Sequence, residues 1–121
     1  MNTLSYQRLW LAIGWGLVLL VIALSLMPAP QLPQVGFNDK LGHILAYFTL
    51  MAWFGQIYCK RLTPLLALLT LGATLEVLQG MTGYREMSGL DMLANTAGVT
   101  FGWLFSRLVP GLLAAADARL P

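Results

Sequence analysis

Charge is scarce in this chain. Of its 121 residues, seven are Lys or Arg, five are Asp or Glu and one is His. That is 10% charged, against about 25% in an ordinary soluble domain. With 58% of the residues hydrophobic, a soluble fold of this length lacks the polar surface to cover its core, and an integral membrane protein is the class that remains. The net charge is only +2 and the basic residues are scattered, which excludes the basic patch of a nucleic-acid surface. Cysteine is nearly absent too: Cys59 stands alone, so no internal disulfide forms and the redox compartment cannot be read from it. No repeat, low-complexity tract or linker appears, and the length gives one domain over 1–121.

Four long apolar runs are present. The first covers 9–27, with Arg8 before it and Pro28 and Pro30 after it. As a helix it measures about 28 Å, close to the hydrocarbon thickness of a bilayer. It exceeds the usual signal-peptide core and no A-x-A-like cleavage site follows, so it reads as a retained span stopped by proline. The second run covers 41–58, headed by Asn38 or Asp39 as an N-cap. Only Cys59, Lys60 and Arg61 separate it from the third, 62–79, and so short a connection forces an antiparallel hairpin. A glycine-bearing loop leads to the fourth run, 91–109, which ends at Pro110-Gly111, and the tail with Asp117 and Arg119 carries no signal of its own.

Four spans place both termini on one side. With the N-terminus cytoplasmic, Arg8, Lys60, Arg61, Arg107 and Arg119 lie inside, and only Lys40 and Arg85 lie outside. The expected fold is therefore an all-α membrane protein: four transmembrane helices in an antiparallel bundle, both termini cytoplasmic.

This topology gathers the polar residues. Asp39, His43 and Tyr47 follow at i,i+4 steps, with Lys40 three residues before His43, so one stripe of the second helix carries them. Glu76 and Gln79 share a face of the third helix, and Asp91 and Asn95 share one of the fourth. Arg85 and Glu86 lie in the loop between, and all of these residues fall at or near the extracytoplasmic face. The stripe of Asp91 and Asn95 continues through Gly98 and Gly102, a small-xxx-small pattern that lets helices approach closely and marks the bundle-facing side. An ionised side chain at the bilayer centre costs about 2.5–3.5 kcal/mol, so Glu76, Arg85 and Asp91 together ask for a reason. Caps and interhelical bonds that only assemble the bundle are the plain alternative, above all for Asp39 and Glu86.

In order and spacing, Asp39-Lys40-x-x-His43-x-x-x-Tyr47, Glu76-x-x-Gln79, Arg85 and Asp91-x-x-x-Asn95-x-x-Gly98-x-x-x-Gly102 resemble the VanZ-like family of small membrane proteins. The resemblance covers about 37–103. It implies a multi-pass protein of the bacterial cytoplasmic membrane, linked through the family's namesake to teicoplanin resistance, with no settled biochemical activity. The site residues it carries over are Asp39, Lys40, His43, Tyr47, Glu76, Gln79, Arg85, Asp91 and Asn95.

Two functional readings follow. In the first, the site binds or acts on a lipid-linked or amphiphilic envelope molecule. Lys40 and Arg85 would hold an anionic headgroup, with Asp39, Tyr47, Gln79 and Asn95 as further ligands, and Glu76, Asp91 or His43 would move a proton. Ser88 and Thr82 lack the partners of a nucleophilic triad, so whether the chain is an enzyme stays open. No cofactor and no metal is assigned, although His43, Glu76 and Asp91 form a one-His, two-carboxylate set to be tested. In the second reading the polar cluster locks the bundle of a structural or accessory protein that contacts a partner. Membrane lipids and an amphiphilic ligand are the expected partners, nucleic acid is not, and Gly98 and Gly102 offer a homodimer face. Transport is disfavoured because the polar residues stop at one membrane face, unless such a dimer completes a path.

Overall fold

The computed structural model describes residues 4–26, 39–58, 60–83 and 89–120, with the backbone alone for Asp39 and Lys40. Five α-helices follow in order: α1 (Gln7–Leu26), α2 (Asp39–Ile57), α3 (Leu62–Met81), α4 (Gly89–Leu108) and α5 (Leu112–Ala118). Among the described residues there is no strand. The four apolar runs became helices whose ends moved by one or two residues. The fifth helix, in the tail that carried no signal, is new.

Local chemistry explains several boundaries. Pro64 falls in the first turn of α3, where a backbone N–H has no intrahelical partner to lose. At the other end the Thr82 hydroxyl donates to the Gln79 carbonyl (2.7 Å), and Gly83 leaves with φ +83°, a left-handed exit that favours glycine. The α3 helix thus runs past Gly80 to Met81 instead of stopping at Gln79.

Two helices, α1 and α3, are long and apolar enough to cross a membrane, and α4 with α5, bent by 61°, would make a third. The apolar part of α2, Leu41–Ile57, is shorter. That length gives about 25 Å of helix, less than the ~30 Å of a hydrocarbon core. Its place compensates, since α2 is the one helix in contact with all the others. Tyr47, Leu50, Met51 and Phe54 of α2 meet Val18 of α1, Leu68 of α3 and Val99 of α4 in the main core.

The closest pairing is α2 with α4. A methyl group on Gly98 would strike the Ile44 carbonyl oxygen, and one on Gly102 would come within 2.8 Å of the Phe48 carbonyl oxygen. One turn on, a methyl on Gly55 would strike the Ser106 hydroxyl, which instead donates to the Gly102 carbonyl at 3.0 Å. Residue numbers rise together along both helices, so α2 and α4 run parallel. The Gly98–Gly102 stripe is therefore filled by α2 of the same chain, and a homodimer on that face would have to displace α2.

The outer surfaces are apolar: Leu9, Ile13, Leu19 and Leu20 on α1, Leu62, Leu66, Val77 and Leu78 on α3, Leu93, Phe101, Leu104 and Leu108 on α4. Four exposed hydroxyls of the helices are satisfied internally. Thr49, Thr70, Thr96 and Thr100 each donate to the carbonyl four residues back, at 2.8–2.9 Å.

Candidate functional site

At one end of the molecule, side chains of α2, α3 and α4 converge. His43 Nδ1–H donates to the Asn95 carboxamide oxygen at 2.7 Å, joining α2 to α4. One turn deeper on α2 lies Tyr47, 2% exposed, with Glu76 of α3, 1% exposed, near it. Gly72, one turn before Glu76, makes room for both neighbours. A methyl there would stand 3.3 Å from Asn95 Cβ and 3.5 Å from Tyr47 Cε1. The cluster is thus His43 and Tyr47 from α2, Glu76 from α3 and Asn95 from α4, set around a glycine.

Asp91 is buried in the first turn of α4, one turn before Asn95. A carboxylate there also meets the positive end of the helix dipole, a contribution of about 0.3–1 kcal/mol in exposed helices. Gln79 is enclosed but turned elsewhere: its amide donates to the Ser25 carbonyl at the end of α1 (2.7 Å). It ties α1 to α3 and does not face the His43–Asn95 pair. Asp39 and Lys40 form the first turn of α2. Their side chains, and Arg85, Glu86 and Ser88 entirely, lie outside the described residues, as does Asn38 of the expected cap.

The sequence assigns no metal, and the alternative set of His43, Glu76 and Asp91 is not gathered into one cluster. Among the described residues no three of His, Cys, Asp and Glu stand close enough to hold an ion, and His43, Glu76 and Asp91 are all described.

The opposite end holds a second polar network that the sequence did not suggest. The Asp117 carboxylate accepts from the backbone N–H of Ser5 (2.8 Å) and Tyr6 (2.9 Å) and from Trp10 Nε1–H (2.8 Å). A carboxylate thus caps the start of α1 from the far end of the chain. The indole bond of Trp10, with the two backbone bonds, holds its pKa below the usual 3.8 against the opposing effect of burial. Trp53 Nε1–H in turn donates to the Trp10 carbonyl (2.9 Å), and the two indoles meet edge to face at 5.9 Å. Gln56 holds the α4–α5 corner, donating to the Val109 carbonyl (2.6 Å) and accepting from Leu113 N–H (3.3 Å). Below them Leu4, Ile57 and Leu113 make a small apolar core. The one trace of this in the sequence is the four-residue step from Leu113 to Asp117, both of which face inward on α5.

What the first site can do follows from its make-up. Its described residues offer a carboxylate enclosed in apolar helices, a phenol and an imidazole held by an amide. Such a set can bind a polar group and shift a proton, but it holds no nucleophile with a base beside it. No family model matches the chain, and no curated protein or solved structure matches it either.

Proposed function

We propose that this chain is a multi-pass protein of the bacterial cytoplasmic membrane, VanZ-like in its polar residues, that binds the headgroup of a lipid-linked or amphiphilic envelope molecule. The four long helices α1–α4 each cross the bilayer, both termini face the cytoplasm, and the His43–Glu76–Asn95 end faces outward. The apolar outer faces of α1, α3 and α4 support the membrane reading, as do exposed threonines that satisfy their own hydroxyls where no water would. The orientation rests on the basic residues, five at one end and two at the other.

One observation carries the binding reading: Glu76, an acid at 1% exposure inside a helix apolar enough to span. A carboxylate there opposes membrane insertion, and packing alone would be served by leucine. With Tyr47 near it, and Lys40 and Arg85 assigned to the same membrane face by the sequence, it suits a headgroup with both anionic and donor atoms. The resemblance to VanZ-like proteins adds a link to teicoplanin susceptibility. It rests on the motif residues alone.

A specific observation favours the other class. Tyr47, Glu76 and Gln79 are all enclosed, and Gln79 and Asn95 each join two helices. A structural or accessory role would use them as interhelical bonds and nothing more. Expression of the wild type, Glu76→Gln and Asp91→Asn in a host scored for glycopeptide susceptibility, with protein level followed in membranes, separates the two. Loss of the phenotype at unchanged protein level supports binding. An intact phenotype with both variants accumulating removes it, and loss of protein itself points to the structural role.

A further inference from the structure

The end of the molecule away from His43 and Glu76 gathers cations from separate parts of the chain. Arg8 lies in the first turn of α1, Lys60 and Arg61 between α2 and α3, Arg107 in the last turn of α4, and Arg119 just past α5. Their common placement is fixed by contacts: Asp117 to Ser5 and Tyr6, Trp53 to Trp10, Gln56 to Val109, and Arg61 Nε–H to the Gly55 carbonyl (3.1 Å). Arg8, Lys60, Arg107 and Arg119 are exposed. Among the described residues the one acid at this end is Asp117, which is 6% exposed and turned inward onto α1. It leaves the outer surface uncompensated.

Two further features give this surface a membrane level. Arg107 stacks over Trp103 with its guanidinium 5.0 Å from the ring centroid, a pairing that holds a cation beside an interfacial aromatic. The α5 helix departs from α4 by 61° and exposes Leu112, and just past it exposed Leu120 adjoins Arg119 in the chain, so apolar and cationic groups share this end. From this we infer that the end is a binding surface for anionic phospholipid headgroups of the leaflet it meets. The inference rests on the membrane reading above. Charge complementarity selects the occupant, because clustered Lys and Arg beside the ends of spanning helices attract anionic lipid over zwitterionic lipid.

The test uses the full chain in nanodiscs of phosphatidylcholine alone or mixed with phosphatidylglycerol. Melting temperature and lipids retained in native mass spectrometry are the readouts. Wild type melts higher in the anionic mixture and retains phosphatidylglycerol. The triple variant Arg8→Gln/Lys60→Gln/Arg119→Gln melts like wild type in phosphatidylcholine and loses the preference, its relative retention of phosphatidylglycerol falling about tenfold or more. Should the triple variant fail to fold, Lys60→Gln/Arg119→Gln shows the same loss in smaller measure. Equal melting of wild type in both lipids, an undiminished preference in the variants, or equal stabilisation by inorganic phosphate each overturns the inference. Carbonate washing of membranes keeps the two readings apart. Protein retained in the washed membrane but indifferent to lipid charge defeats this inference alone, and protein released by the wash defeats both.

Discussion

At the scale of single residues, Asp117 joins distant parts of the chain through three hydrogen bonds, and its contribution follows pH. Its folded pKa lies below 3.8, so the stability it confers is complete above that value and is lost as the pH falls through the lowered folded value. Melting of the detergent-solubilised protein between about pH 7 and pH 3 should show an acid limb that shrinks in Asp117→Asn. Replacement by Ala should lower the melting temperature clearly at neutral pH, and Arg119→Ala, exposed two residues on, should leave it nearly unchanged. An Asp117→Ala protein that melts with wild type would remove the cap from the account. The residues that were legible beforehand have a different character. Asp39, His43, Tyr47, Glu76, Gln79, Asp91 and Asn95 stood out because a polar group in an apolar run is conspicuous. Asp117 sits in a mixed tail, where an acid is unremarkable until its partners 111 and 112 residues away are known. Gln79 was legible as buried, but its partner, a carbonyl of α1, was not, since a backbone acceptor leaves no mark in the sequence.

At the scale of the element, α2 and α4 are the most closely packed pair, because glycine lets one backbone rest on the other. Gly98→Ala puts a methyl into the Ile44 carbonyl, and backbone has no rotamer with which to move aside. A loss of about 1–3 kcal/mol is expected, the cost of overpacking a filled interface. Gly16→Ala is the matched control, since nothing lies within 4 Å of the added methyl, and α1 should gain about 0.5–1 kcal/mol from removing a helical glycine. Chemical unfolding of both variants in the same detergent checks the pair, and equal effects would contradict the packing described. The four long helices and their approximate lengths were readable from apolar runs and proline. The parallel pairing of α2 with α4 was only half readable: Gly98 and Gly102 announced a close approach, but the answering residues Ile44, Phe48 and Gly55 belong to an ordinary apolar helix. The seven-residue α5 is too short for any periodic pattern to show.

At the scale of the whole molecule, the two polar networks sit at opposite ends of one bundle and differ in kind. One joins three helices around an enclosed acid; the other fastens the first helix to the last. The second makes a geometric claim that membranes can test. With Cys59 replaced by Ser, the pair Leu4→Cys/Leu113→Cys should form a disulfide under mild oxidant, because both positions line the same small core. Failure to crosslink in isolated membranes would mean that α5 does not rest on the residues leading into α1. The joining of chain ends also sets an order of events during synthesis. The amides of Ser5 and Tyr6 receive their cap from a residue made 111 and 112 positions later. The start of α1 therefore stays without this cap until α5 has been made, and the two ends of the described chain join only then.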